Sequence, residues 1–390
     1  MLADTGPAPP LPRYGERSLA DLTPSILTAL DLPGFANPLE IEAARRAMLL
    51  VVDGLGTELL RANRRHAPVL AELAAARQPL TTGFPSTTAA SLASLGTGRP
   101  PAEHGLTGYT MALPELDRAF NCLRWATYGI GGGKDLSSRV VPELLQPRPT
   151  AFERAAAAGV PVTLVGPAGY ARSGLTRAVL RGGGYEEAVS LGDLAAVALE
   201  RLGAGRRGLV YAYCSELDVT GHVRGPHSVA WSLQLAQVDR LVGALVERLP
   251  GDALLVVTGD HGMVRLRPGQ LVDLADEPQL AEGVRLLAGE ARARHVHARP
   301  GAAADVLATW QALLGDRMWV LPGEDAIARG WFGPGMPQAV RQRVGDVVAA
   351  AFGPVGVVQR EVDPAQARML GHHGSMTAAE QLVPFALARR

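Results

Sequence analysis

With 390 residues, 47% of them hydrophobic, and a formal net charge of +0, the chain has apolar material for a full-sized core and too little charge imbalance for a disordered segment or a basic nucleic-acid binder. Aromatics make up only 5% while Gly (45) and Pro (29) are frequent, which argues for many turns and against a base-stacking platform. Two cysteines, Cys122 and Cys214, are too few for a disulfide framework or a thiolate metal site and read as buried thiols.

Residues 1–16 are Pro-rich and read as a flexible lead-in. No apolar run is long enough for a signal peptide or a membrane span, so the expectation is a soluble cytoplasmic protein. Short apolar runs then recur at Ala47 to Val52, Val160 to Val165, Gly208 to Tyr213 and Ala253 to Thr258. Helical stretches lie between and after them at Ala151 to Ala158, Leu191 to Leu202 and Ser228 to Leu249. This alternation predicts an α/β fold, a central, largely parallel sheet between helix layers. The stretch 268–366 carries strand-like HVHA and RMWVLP around the helical AAADVLATWQALLG, and reads as an inserted cap subdomain. It would divide an α/β catalytic core of residues 17–267 and 367–390.

Ligands in open α/β sheets gather beyond the carboxyl ends of strands, and three of the four strands end in chemistry-bearing motifs. The first runs into Asp53-Gly54, the third into SELDVTGHVRGP, and the fourth into Gly259-Asp260-His261-Gly262. Asp218 and His222 are four apart, so a helix there turns both to one side. Gly371-His372-His373-Gly374 follows near the C-terminus. Asp53, Asp218, His222, Asp260, His261 and His373 supply three carboxylates and three imidazoles, enough for two adjacent divalent cations, and O/N donors of this kind suit Zn²⁺ or Mn²⁺. The other six histidines read as structural or surface residues, with His295 and His297 the pair best placed to touch substrate. In the segment GFPSTTAASLASLGTG, the hydroxyls of Ser86, Thr87 and Thr88 open a small-residue helix, where free N–H groups favour an anion but a plain N-cap also explains them.

In this order, Asp-Gly, FP-x-x-T, D-x-x-x-H-x-x-GP, DHG and HG, the motifs resemble the nucleotide pyrophosphatase/phosphodiesterase family of the alkaline phosphatase superfamily, over roughly Met48 to Ser375. The resemblance implies Thr88 as nucleophile, with Thr87 the nearest rival. It implies one metal held by Asp53, Asp260, His261 and the ionised Thr88, and another by Asp218, His222 and His373, with Zn²⁺ ahead of Mn²⁺. His373 is preferred to His372 because it directly precedes Gly374. The implied activity is hydrolysis of a phosphodiester or pyrophosphate bond in a small molecule such as a nucleotide, through a phosphothreonine, with no nucleic-acid polymer or membrane as partner. The sequence departs from the family where a phosphoryl-binding asparagine is expected: gapless counting places Tyr109 there, with Asn121 and Arg124 as other candidate substrate contacts.

A P-loop reading of Gly129-Ile130-Gly131-Gly132-Gly133-Lys134-Asp135 fails, because Tyr128 takes the first glycine position and Asp135 the Ser/Thr position; a mobile loop near the site is expected instead. A sulfatase would need a Cys or Ser in a C/S-x-P-x-R context, which is missing. A phosphomonoesterase, phosphonate hydrolase or phosphomutase of the same superfamily is the alternative, and a catalytically silent metal-binding protein a more distant one, since all seven expected site positions are filled.

Overall fold

The apolar run RAMLLVV forms the strand Arg46–Val52, buried along nearly all its length and therefore central. It pairs in parallel with Gly208–Cys214 on one side and Ala253–Gly259 on the other. The computed structural model describes residues 7–390. Its main sheet has six strands in the order Ala386–Arg389, Ala253–Gly259, Arg46–Val52, Gly208–Cys214, Val162–Gly166, Gly184–Glu187, with only the first antiparallel to its neighbour. Alternate side chains leave opposite faces. Leu49, Val51 and Tyr211 pack beneath the helices Leu19–Ala29, Thr88–Thr97 and Ala151–Ala157. Met48, Leu50 and Val210 meet the helices Leu191–Gly203 and Val229–Arg248 on the other face. The α/β sandwich expected from the sequence is the observed architecture.

A second sheet lies within residues 268–366. Its strands Val284–Glu290, Ala293–Ala298, Val347–Ala351 and Met318–Pro322 are adjacent in that order and all antiparallel. The helix Ala303–Leu314 covers one face through Val306, Trp310 and Leu314, while Trp331, Phe332 and Phe84 pack against the other.

The flexible lead-in is only partly open to description, because residues 1–6 lie outside the described residues. From residue 7 onward the chain is tied down: Pro7 O accepts from Trp319 Nε1, Pro10 O accepts from Gln381 Nε2, and Tyr14 donates to Trp331 O at 2.9 Å. Among the described residues no helix is long and apolar enough to cross a membrane.

One buried ion pair joins the second sheet to the C-terminal segment. Arg292 donates to both Glu380 oxygens, at 3.0 and 2.7 Å, and to the carbonyls of Gly353 and Val355. Glu380 also accepts from Ser375 N and Thr377 Oγ1 and is wholly buried. Removing one partner of such a pair leaves an uncompensated buried charge. Glu380→Ala is expected to lower unfolding stability by about 3–5 kcal/mol in urea titration; a loss within experimental error would show that the pair is no structural tie.

Candidate metal centre and substrate cavity

The register of the main sheet places Val52 beside both Cys214 and Gly259, so three neighbouring strands end level with one another. The residues that leave these ends are Asp53, the helix Glu216–Arg224 and the pair Asp260-His261. Gly54 has φ +75°, and a Cβ there would lie 2.9 Å from the Asp218 Cα, so the turn after Asp53 must be glycine for that helix to come so close. Asp260 Oδ1 accepts from Gly54 N and His261 N, both at 3.0 Å, which ties the first and last of these strand ends together.

His373 comes from far along the chain. Ser86 N donates to Gly374 O at 3.0 Å, and this bridge sets the C-terminal HG turn against the turn that opens the helix Thr88–Thr97. The rings of His261 and His373 stack with centroids 3.6 Å apart. His372 turns away, toward Met369 O at 3.1 Å.

The three site histidines share one feature. Each sets Nδ1 against a backbone carbonyl: His222 at 2.8 Å from Gly371 O, His261 at 2.9 Å from Gly262 O, His373 at 3.0 Å from Ser86 O. A carbonyl only accepts, so Nδ1 carries the proton and Nε2 is left as the ligand atom, as in metal-bound imidazoles. His261 Nε2 lies 3.3 Å from Asp53 Oδ1, 3.7 Å from Asp260 Oδ2 and 3.2 Å from Thr88 Oγ1. His222 Nε2 lies 3.3 Å from Asp218 Oδ2. Buried oxygens Asp53 Oδ1, Asp218 Oδ1 and Asp260 Oδ2 have no hydrogen-bond partner. Lone pairs facing lone pairs at such distances need a proton or a cation between them. The donor set fits divalent cations.

Among the described residues, Asp218, His222 and His373 bring ligand atoms within 4.8 Å of one another, and so do Asp53, Asp218 and His261. The partition expected from the sequence gives Asp218 to one group only. Here it belongs to both, because its helix starts directly over Gly54. Asp260 is in neither group, though its Oδ2 lies 3.7 Å from His261 Nε2.

Protonation follows burial and neighbouring charge. Burial and then the Asp218 charge push Asp53 up, and burial and then Asp53 push Asp260 up. Burial works against the charged form of His222, but Asp218 outweighs it and lifts the imidazole to about 9. Asp218 is held below the usual carboxylate range: burial opposes this, and His222 overcomes it. Tyr213 donates to Asp53 Oδ2 from the strand below.

A cavity of about 450 Å³ opens over these groups, lined by Thr87, Thr88, Asp218, His222 and His373 and also by Leu92, Leu164, Leu175 and the tyrosines Tyr170, Tyr185, Tyr211 and Tyr213. Of the candidate substrate contacts, Tyr109 and Arg124 reach its wall; Asn121 does not, and bonds to Tyr109 instead. His295 and His297 are buried on the second sheet away from the cavity lining. The glycine-rich loop is held by Ile130 N donating to Val362 O.

Sequence reading missed Glu290. It ends an apolar strand of the second sheet and lines the cavity, with one carboxylate oxygen 3.3 Å from His373 Nδ1 and the other unpartnered. Burial pushes it up to about 8. A Cβ on Gly374 would come within 2.8 Å of its Cγ. An acidic residue closing a long apolar strand was the only local signal.

Fold and site define an α/β protein with two adjoining cation-ligand clusters at the carboxyl edge of a parallel sheet. Residues 47–376 match the family "type I phosphodiesterase / nucleotide pyrophosphatase". The chain belongs to this family. Murine ectonucleotide pyrophosphatase / phosphodiesterase 5 superposes with a TM-score of 0.66 at 20% identity, covering 88% of each chain, and its human counterpart with 0.66 at 18% identity and the same coverage. An inactive threonine-to-alanine variant of the murine protein, in complex with AMP, gives a TM-score of 0.65. Shorter stretches are similar to human GPI ethanolamine phosphate transferase 3, catalytic subunit, 43% identical over 60 residues (15% of this chain, 6% of that one). A phosphopentomutase of Anaeromyxobacter dehalogenans is 37% identical over 119 residues (30% and 28%). Human ectonucleotide pyrophosphatase/phosphodiesterase family member 7 is 40% identical over 77 residues (18% and 17%). These matches span under a third of each relative's length.

The raised carboxylates give the metal-free protein a pH dependence of known sign. Asp53 and Asp260 keep protons in the fold that they lose when unfolded, so their contribution is full below the ordinary Asp range and is lost as pH rises through the raised values. His222 also holds a proton up to about 9 that a cation must displace. The rise in melting temperature on adding Zn²⁺ or Mn²⁺ is therefore expected to be larger at about pH 8 than at about pH 6. A shift that is flat or declining with pH would contradict ligation by these groups.

Proposed function

We propose that the protein hydrolyses a phosphodiester or pyrophosphate bond in a small molecule, through a phosphothreonine on Thr88. The observation that carries this is the position of Thr88: the first residue of a buried ten-residue helix, on the cavity wall, with its hydroxyl 3.2 Å from a histidine nitrogen of the ligand cluster. Thr87, the rival, is the N-cap, and its side chain neighbours Glu290. The inactive threonine-to-alanine form of the murine neighbour supports a threonine nucleophile.

The chain's own groups account for most of the chemistry. Free N–H groups at the start of the helix Thr88–Thr97 and its dipole receive the phosphoryl group as an anion. Thr88 Oγ1 attacks phosphorus in line and the ester oxygen opposite leaves; water then cleaves the threonine ester and restores the hydroxyl. Asp53, Asp260 and His261 with Thr88, and Asp218, His222 and His373, would hold two divalent cations, with Asp218 near enough to reach either, and Zn²⁺ ahead of Mn²⁺ on the O/N donor set. Such ions supply neutralisation of the phosphoryl oxygens and ease ionisation of the hydroxyl. The stretch 268–366 lends Glu290, Asp363 and Gln366 to the cavity wall, which supports its reading as a cap over a core of 17–267 and 367–390. A cavity of about 450 Å³ suits a small ester and not a polymer. The phosphopentomutase match keeps phosphoryl transfer on sugar phosphates as the second reading.

Thr88→Ala is expected to retain both metals by elemental analysis while losing about a thousandfold or more in kcat on bis(p-nitrophenyl) phosphate. Undiminished turnover would move the nucleophile to Thr87. A wild-type rate on p-nitrophenyl phosphate well above the diester rate would overturn the diesterase reading.

A further inference from the structure

Tyr109 stands where the family pattern expects an asparagine, and the structure gives its phenol an unusual partner. The strands Thr110–Met111, Phe120–Asn121 and Ala126–Thr127 form a small antiparallel sheet in which Thr110 pairs with Asn121. The turn that follows wraps around the Asn121 side chain: its Oδ1 accepts from Leu123 N at 3.0 Å and Arg124 N at 2.9 Å. Two backbone donors on one atom settle which end of the amide is oxygen. The other end is therefore the NH₂ group, and it donates to Tyr109 Oη at 2.8 Å.

This fixes the direction of the next hydrogen bond. A phenol oxygen that accepts from Asn121 has its own proton left to give. Among the described residues no protein acceptor takes that proton, and Tyr109 lines the cavity together with Thr88. Its ring is steadied by an edge contact with Tyr128, centroids 5.9 Å apart. Burial raises the phenol above its ordinary range, so it keeps the proton at neutral pH.

We propose that Tyr109 donates a hydrogen bond to a non-bridging oxygen of the phosphoryl group, and that Asn121 is a positioning residue that sets the direction of that proton. The proposal rests on the phosphoryl-transfer reading above. In it, the asparagine lost from the expected position is replaced by a two-residue unit, phenol in front and amide behind.

Asn121→Asp tests the direction of the proton. Its carboxylate still accepts from Leu123 and Arg124, so the turn persists, but it can only accept from the phenol and draws the proton away from the cavity. On the metal-loaded enzyme, Tyr109→Phe is expected to lower kcat/KM for bis(p-nitrophenyl) phosphate by about a hundredfold. Asn121→Asp should fall to within a few-fold of that value at unchanged melting temperature, with Asn121→Ala losing less. The double variant Tyr109→Phe/Asn121→Asp should be no worse than Tyr109→Phe alone. A double variant clearly worse than Tyr109→Phe would show that the new carboxylate acts by its own charge, and Asn121→Asp at wild-type activity would show that the amide sets nothing; either result overturns the proposal. Calorimetric affinity for orthovanadate should follow the same order. It serves where the wild type turns over no diester, in which case the hydrolase reading fails while unchanged vanadate binding in Tyr109→Phe is still needed to refute the phenol's role.

Discussion

Three parallel strands that end level with one another force carboxylates together. With Val52 opposite both Cys214 and Gly259, Asp53 and Asp260 leave adjacent strands at the same height, and the helix over Gly54 brings Asp218 up to the turn after Asp53. Burial and mutual repulsion both disfavour the ionised forms. Such a cluster persists only if protons or cations lie among the oxygens, and the histidines are oriented for the second solution. Each spends its Nδ1 proton on a backbone carbonyl, which leaves three Nε2 atoms for the same small volume.

The main sheet alone does not complete this volume. His373 reaches it only because Gly374 is bridged to Ser86, and the segment just after it is fastened to the second sheet through Arg292, Glu380 and Ser375. Glu290, two residues before Arg292, ends its strand against His373 and the Thr87 turn. The buried ion pair and the turn that opens the helix Thr88–Thr97 are thus parts of one mechanical unit: what steadies the second sheet also steadies the last histidine.

The features legible in the sequence were those whose chemistry lies in adjacent residues. Asp53-Gly54, Asp260-His261 and the Asp218/His222 pair each follow an apolar run, so a strand end could be inferred without knowing its neighbours. The helix Glu216–Arg224 shows that the four-residue spacing does bring that pair onto one side. Glu290 was illegible because its strand reads as ordinary apolar sequence and its role depends on meeting His373, 83 positions later by their numbers. Asn121 was legible as a candidate polar group, but only a hairpin pairing shows that it faces Tyr109 and not the cavity. The contacts of the Pro-rich start were illegible for a related reason: composition records what a segment could do alone, while Trp319, Gln381 and Trp331 bond to Pro7, Pro10 and Tyr14.

Net charge illustrates the same limit at larger scale. A sum of +0 over 390 residues argues against a polyanionic partner, yet it says nothing about a cavity. Asp53, Asp218 and Asp260 bring three negative charges to the site, against four positive charges from two divalent ions. With no cation present burial pushes Glu290 up to about 8, and cations nearby would pull it down again, so that surplus belongs to the ligand aspartates and the ions alone. The helix start at Thr88 adds to the same sign. Field lines focused in a pocket with apolar walls such as Leu92, Leu164 and Leu175 are weakly screened, so a protein of zero net charge can still attract a small anion there.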